Sequence, residues 1–161
     1  MAISSAILIS LSYFSSTANL IYFHYNKLLY PTQGSIDHLD HENQPPLIDM
    51  KYTGVVLFLL GISGNFYHHF LLSKLRKKGE EEKSYKIPKG GLFGLVICPH
   101  YLFEIIEFLG ISFISQTLFG YFFTIGTIFY LMGRSYATRK WYISKFEDFP
   151  KDVKALIPFV F

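Results

Sequence analysis

Hydrophobic positions along the chain fall into long blocks rather than the mixed pattern of a soluble domain. Crossing the hydrocarbon layer of a bilayer takes about 20 residues of helix. Four blocks approach or reach that length: Ile3–Phe23, Thr53–Leu72, Leu92–Ser115 and Thr117–Met132. The fourth block is short and needs help from its flanks. The pattern therefore predicts an all-α fold, a polytopic membrane helix bundle of about four spans.

The segments around these blocks predict how the helices begin, end and connect. The connection between the last two blocks, near Ser115 and Gln116, is so short that it indicates an antiparallel helical hairpin. Pro99 either kinks the third helix or begins it. The Gly90–Gly91 pair ahead of it would allow an unwound start. In the tail, basic residues are interspersed with aromatic residues such as Trp141, which predicts a cytosolic interfacial helix at the C-terminus.

The distribution of charge predicts the orientation in the membrane. Only 17% of the residues are charged, below the quarter that is usual in soluble domains. Lysine and arginine concentrate in residues 74–89 and in the tail from Arg134 onward, whereas the first loop carries acidic residues. The positive-inside rule then places the second loop and the C-terminus in the cytosol. No basic stripe suits nucleic acid, so we expect no nucleic-acid partner.

Polar residues interrupt two of the predicted helices at regular spacing. His100, Glu104 and Glu107 fall within an arc of about 60° on one helix. The helix before it carries a second stripe, within an arc of about 40°, made of Asn65, His69 and Arg76. Two neighbouring helices are therefore predicted to present polar stripes to the same region of the bundle.

The cost of burying these groups indicates a ligand cavity. An ionised side chain at the bilayer centre costs roughly 3 kcal/mol on insertion scales, whereas an interhelical hydrogen bond returns only about 0.6 kcal/mol on average. The alternative, in which the polar groups merely hold helices together, recovers little of that cost. Arginines at the cytosolic rim, Arg76 and Arg134, suit the phosphates of an anionic nucleotide.

Several other chemistries find no support in the sequence. The glycine-rich fingerprint of soluble dinucleotide-binding proteins is absent, as is a phosphate-binding P-loop. Cys98 is the single cysteine, which excludes an internal disulfide and a thiolate zinc cage. His38 and His41 lie in a polar first loop, and His68–His69 lacks the further histidine boxes of membrane di-iron enzymes. We therefore expect no metal site.

Four segments, in order and at consistent spacing, resemble the C-terminal half of the steroid 5α-reductase family. They read "GNFYHHFLLSKLRKKG", "YKIPKGGLF", "CPHYLFEIIEFLG" and "GRSYATRKWYISKFEDFPKDVKALIPFVF". The family, which also includes polyprenal reductases and very-long-chain enoyl-CoA reductases, consists of seven-span helical bundles of the endoplasmic reticulum membrane. The resemblance covers about Thr53 to Phe161. It implies an NADPH-binding domain at 53–161, preceded at 1–52 by a membrane helix and a polar luminal loop.

The resemblance also implies an activity and a set of cofactor-binding residues. The activity is NADPH-dependent reduction of a carbon–carbon double bond conjugated to a carbonyl, in a steroid or related lipid. The residues that match the family's cofactor site are Asn65, Arg76, Tyr85, His100, Tyr101, Glu104, Arg134 and Tyr142.

Catalytic residues are not assigned by the resemblance. In the family, a Glu and a Tyr from the N-terminal helices polarise the substrate carbonyl, and the four predicted spans do not include those helices. We therefore expect a truncated form of the seven-span fold. Tyr25, in "FHYNKLLYP", is a weak substitute because it is predicted at the luminal end of the first helix.

Two alternatives come from other functional classes. A membrane methyltransferase of the isoprenylcysteine type also binds a nucleotide cofactor in a His/Glu-lined helical hairpin. A non-enzymatic alternative is an inactive fragment that associates with a full-length reductase.

Overall fold

The computed structural model describes residues 50–75 and 86–161, together with residues 14–15, 17–19, 21–22 and 25–26, which are helical. The predicted first loop lies outside the described residues. The elements are α1 (Lys51–Lys74), a short 3₁₀ helix (Gly91–Gly94), α2 (Pro99–Ser115) and α3 (Leu118–Lys145). Strand-like pairing within the described residues is limited to a single parallel bridge between Val96 and Lys154. The predicted all-α class is confirmed for this part of the chain.

Helix α1 is long enough to cross a bilayer. Its 24 residues extend about 36 Å, and its apolar composition makes it the one candidate membrane span among the described residues. Large apolar side chains such as Leu59, Leu60 and Phe66 are exposed along it. The predicted second span is therefore supported. The structure does not confirm the four-span arrangement.

Glycines bring α1 and α2 into close contact. A Cβ atom added at Gly61 would lie 2.5 Å from the backbone nitrogen of Glu107, and one added at Gly110 would lie 2.5 Å from that of Phe58. Neither position accommodates a side chain without moving backbone. Small residues at such contacts are typical of helix pairs in membranes, where close backbone approach maximises van der Waals packing.

The connection between α2 and α3 forms the predicted antiparallel hairpin. Gln116 adopts a left-handed conformation with φ of 48°, and the Thr117 side chain caps α3 by accepting a hydrogen bond from the Gly120 backbone nitrogen at 3.1 Å. Ser112 donates to the Gly120 carbonyl at 2.9 Å and pairs with the Thr124 hydroxyl at 2.7 Å. Buried hydroxyls therefore hold the hairpin together.

The start of α2 differs from the predicted span Leu92–Ser115. The helix begins at Pro99. Proline suits the first turn of a helix, because its missing N–H would have no intrahelical partner there. Ahead of Pro99 the chain forms the 3₁₀ helix, preceded by Gly90 and Gly91 with φ of 93° and 53°. A continuous helix from Leu92 is therefore not formed, and of the two alternatives for Pro99 the structure confirms that this residue begins the helix. The unwound start at the glycine pair is confirmed.

The end of the chain also differs from its prediction. Helix α3 continues past Met132 to Lys145, so the basic and aromatic positions from Arg134 to Lys145 belong to its last turns rather than to a separate interfacial helix. Residues 146–161, which we call the C-terminal cap, contain no helix and dock against residues 95–98. The Ile97 backbone nitrogen donates to the Lys154 carbonyl at 2.9 Å. The apolar side chains of Val153 and Leu156 are buried there.

Helix α2 lies between α1 and α3. Gly110 contacts the α1 backbone at Phe58, whereas Ser112 bonds to α3. At 100° per residue these two positions point about 160° apart around the α2 axis. Helices α1, α2 and α3 therefore form a single layer, and α2 presents a further side that neither α1 nor α3 occupies.

Candidate functional site

Polar groups from all three helices meet beside α2. His100 and Glu104, one turn apart, lie between the directions of Gly110 and Ser112 around the α2 axis. From α1, the Asn65 side-chain nitrogen donates to the His100 carbonyl at 3.3 Å. We call this surface the polar face, and it comprises Asn65, His69, His100, Tyr101, Glu104 and Arg134.

The His100 ring is packed but incompletely hydrogen-bonded. Its centroid lies 5.0 Å from that of His69 and 4.3 Å from that of Tyr101. Its Nδ1 atom is buried and has no hydrogen-bond partner among the described residues. A buried polar atom left unsatisfied costs about 1–3 kcal/mol. The arrangement therefore offers one polar group that a bound molecule could satisfy.

Arg134 joins α3 to the polar face through Tyr101. A hydrogen bond with the Tyr101 side chain, reinforced by the charge interaction between the two groups, raises the pKa of Arg134 above its ordinary value. A guanidinium carries five N–H donors, so one tyrosine engages only part of its capacity. Arg134 is largely exposed, and it can present the remaining donors to an anion.

Tyr142, on α3, packs against a buried apolar cluster rather than lying on the polar face. The cluster consists of Ile97, Cys98, Phe149 and Val153. The Tyr142 ring stacks on Phe146, with centroids 5.7 Å apart, and lies at the same distance from that of Phe149. Burial raises the pKa of Tyr142. Tyr101 packs against the same cluster, so it connects the cap to the polar face.

The structure thus brings together Asn65, His100, Tyr101 and Arg134 from the predicted set, with Glu104 on the same side of α2. Arg76 and Tyr85 lie outside the described residues. Two other predictions can be compared with the structure. Glu107, grouped with His100 by its spacing, has its backbone and Cβ against Gly61 of α1, and its carboxyl lies near enough to that of Glu104 to interact with it electrostatically. Tyr25 is helical and 58% exposed.

One structural histidine was missed by sequence reasoning. His68 is only 3% exposed. Its Nδ1 pairs with the Gly64 carbonyl at 2.7 Å, and its Nε2 accepts from the Leu92 backbone nitrogen at 3.1 Å. Its ring also stacks on Phe103 at 5.1 Å. Leu92 is 24 residues away, so local spacing carries no signal for this role.

A second missed residue, Arg139, holds the cap. Its Nε donates to the Val153 carbonyl and a terminal nitrogen donates to the Lys151 carbonyl, both at 2.7 Å. The sequence suggested only a cation in a basic tail. Arg139 instead secures the cap against α3 by bonding to its backbone.

Comparison with known proteins places the chain in a family. The sequence profile of 3-oxo-5-alpha-steroid 4-dehydrogenase matches residues 4–161. Steroid 5-alpha-reductase DET2 from Gossypium hirsutum is 41% identical over 123 residues, covering 76% of this chain and 47% of that protein. The 3-oxo-5-alpha-steroid 4-dehydrogenase 1 of Rattus norvegicus is 43% identical over 108 residues, covering 67% and 41%. The human 3-oxo-5-alpha-steroid 4-dehydrogenase 2 is 40% identical over 114 residues, covering 70% and 44%.

These matches confirm the resemblance that the four motifs carried. The profile match extends nearly to the first residue, well ahead of Thr53, where the motif resemblance begins. The matched region spans less than half the length of each of these relatives. The chain belongs to the 3-oxo-5-alpha-steroid 4-dehydrogenase, or steroid 5α-reductase, family of oxidoreductases.

Proposed function

We propose that the chain forms the cofactor-binding layer of a membrane oxidoreductase that reduces a carbonyl-conjugated carbon–carbon double bond in a steroid or related lipid. The cofactor is NADPH, which supplies a hydride when bound. The observation that carries this proposal is the polar face, where Asn65, His100 and Arg134 converge from three different helices. The family match favours this chemistry over the methyltransferase alternative.

The residues of the polar face fit a phosphorylated dinucleotide. Arg134 offers donors to a phosphate, which a guanidinium can engage through two parallel hydrogen bonds. Asn65 and the unsatisfied Nδ1 of His100 suit the amide and hydroxyl groups of a nicotinamide riboside. The Glu104 carboxylate would accept from ribose hydroxyls, while the Tyr101 ring lines the site.

Three further residues enter the proposal through the family resemblance. Arg76, seven positions after His69 in the sequence, would bind phosphate. Tyr85 would line the site. Tyr142 would act from the last turns of α3, where it packs against the cluster that Tyr101 contacts. Residues 53–161 would then form the NADPH-binding domain, and residues 1–52 a membrane helix and luminal loop.

The proposed setting is the endoplasmic reticulum membrane, with several spans and a cytosolic C-terminus. The apolar, exposed surface of α1 supports a membrane location. The 3₁₀ segment before α2 is compatible with membrane depth because its backbone lies against protein: the Leu92 backbone nitrogen donates to His68. The basic residues after Lys74 support the orientation.

The substrate side of the reaction requires a further group. Hydride addition places negative charge on the substrate carbonyl oxygen, and a hydrogen-bond donor must stabilise that charge. None of the described residues is assigned as this donor. Association with a full-length reductase would supply such a donor.

A thermal-shift measurement on the reconstituted chain tests the cofactor. A ligand at a hundred times its Kd stabilises a folded protein by about 2.7 kcal/mol. We expect NADPH to raise the unfolding temperature and S-adenosylmethionine to leave it unchanged. The opposite pattern would support the methyltransferase alternative instead.

A further inference from the structure

Two arginines lie among the described residues, and the proposed cofactor site uses only Arg134. The other, Arg139, is half-buried and lies five positions further along α3, about 140° away around the helix axis. Its Nε donates to the Val153 carbonyl and a terminal nitrogen donates to the Lys151 carbonyl, both at 2.7 Å. A planar guanidinium can engage two acceptors at fixed angles at the same time. Arg139 therefore bonds to the backbone of the cap rather than to the polar face.

The backbone that Arg139 holds carries half of the buried apolar cluster. Phe149 and Val153 come from the cap, and each is only 6% exposed, whereas the other two members precede α2. Backbone bonds between Lys154 and residues 95–97 join the cap to the start of α2, so Arg139 adds a connection to α3. Without that connection, two of the four side chains in the cluster lose a restraint.

Tyr101 links this cluster to the polar face. Its ring packs against the cluster, and the ring centroid lies 4.3 Å from that of His100. The Tyr101 side chain also forms a hydrogen bond with Arg134. A binding site is precise when the rotamers of its side chains are fixed by the packing behind them. The cluster provides that packing for Tyr101, so the position of the cap determines where the Tyr101 ring lies.

We propose that Arg139 is a positioning residue for the cofactor: by holding the cap against α3, it keeps Tyr101 in place on the polar face and so sets the affinity for the dinucleotide. Arg139 does not contact the cofactor in this arrangement. It acts through Val153, the apolar cluster and Tyr101. The inference rests on the proposed function, and it adds a residue that the family resemblance does not assign.

Equilibrium binding to the full reconstituted chain, followed through nicotinamide fluorescence, measures the effect. We expect Arg139→Gln to weaken the affinity for NADPH by roughly threefold to tenfold, in the range found for residues that act on a site without touching its ligand. The matched control, Lys140→Gln, removes the same charge from the next position, which is exposed. It should leave the affinity unchanged.

The thiol of Cys98 reports on the cap without any cofactor. Cys98 belongs to the apolar cluster and is only 2% exposed. Because Arg139→Gln should let the cap open locally, we expect it to speed maleimide labelling of Cys98 in the folded protein by roughly fivefold or more. Lys140→Gln should label at the original rate.

A double-mutant cycle separates positioning from a loss of stability. Tyr101→Leu retains apolar packing against the cluster but removes the ring and the hydroxyl that reach the polar face. In this background Arg139→Gln should cause no further loss of NADPH affinity, because its effect passes through Tyr101. A purely structural role would produce the same fold-change in both backgrounds.

Val153→Ala provides a second test should Arg139→Gln fail to fold. This substitution leaves the carbonyl to which Arg139 donates but loosens the cluster behind Tyr101. We expect NADPH affinity to fall by roughly twofold to fivefold, and we expect no such fall in the Tyr101→Leu background.

Three results would overturn the positioning role while leaving the proposed function intact. They are an unchanged NADPH affinity in Arg139→Gln, an undiminished loss in the Tyr101→Leu background, and unchanged labelling of Cys98. Failure of the original chain to bind NADPH would overturn the proposed function together with the positioning role.

Discussion

The backbone N–H of Leu92 donates to Nε2 of His68 at 3.1 Å. Because Nε2 accepts, the proton of the neutral ring lies on Nδ1, which donates to the Gly64 carbonyl at 2.7 Å. Both nitrogens are satisfied inside the protein. His68 therefore fixes the 3₁₀ helix, and with it the start of α2, against α1.

Replacing His68 should destabilise the fold, whereas replacing its neighbour should not. His68→Ala removes a buried ring and leaves the Leu92 N–H without its acceptor, a loss of about 2–4 kcal/mol. His69→Ala, at an exposed position, should change the free energy of unfolding by less than about 0.5 kcal/mol. Denaturant titration of both variants measures the difference. Equal stabilities would contradict the structural role of His68.

Gly91 should tolerate no side chain, unlike Gly94 in the same 3₁₀ helix. A Cβ at Gly91 would lie 2.7 Å from the His68 Nε2 atom, at a φ of 53° that side chains rarely adopt. We expect Gly91→Ala to cost about 2–3 kcal/mol. A Cβ at Gly94 meets no described atom within 4 Å, so Gly94→Ala should be near neutral. Thermal unfolding of the two variants checks this, and a reversed order would contradict the described turn.

Cys98 should react slowly with thiol reagents in the folded protein. It precedes α2 and packs against the cap, where burial raises the pKa of its thiol to about 12, offset in part by a hydrogen bond to Thr138 and by the charge of Arg134. The reactive thiolate is therefore scarce at pH 7–9. We expect maleimide labelling at pH 8 to be at least roughly a hundredfold slower than for an ordinary cysteine.

A relocated cysteine provides the control for this labelling. Ser144 is exposed near the end of α3, so Cys98→Ser combined with Ser144→Cys should label rapidly. The original chain should label rapidly once it is unfolded in detergent. Fast labelling of folded Cys98 would show that the cap does not cover it.

Local periodicity predicted those parts of the site that depend on a single helix. His100 and Glu104 share one side of α2, and Asn65 and His69 share one side of α1, because the helical repeat alone fixes those relationships. The meeting of the two stripes was inferred from their polarity, and Asn65 does contact the His100 backbone.

Features set by tertiary contact escaped the sequence. Glu107 fits the same periodicity as His100, but the packing of its backbone and Cβ against Gly61 of α1 is a contact that the repeat does not specify. Helix α3 was expected to end with its apolar run, yet a fall in hydropathy after Met132 does not stop helical hydrogen bonding. The docking of the cap depends on Arg139 reaching the Val153 carbonyl, 14 residues away.

The central claim, that the polar face binds NADPH, is tested most directly by equilibrium binding followed through nicotinamide fluorescence. We expect the reconstituted chain to bind NADPH, with Arg134→Gln and Asn65→Ala each weakening the affinity by roughly tenfold or more, since each removes a hydrogen bond to the ligand. Lys140→Gln, at an exposed position of α3, should leave the affinity unchanged. Equal affinities in all four proteins would contradict the claim.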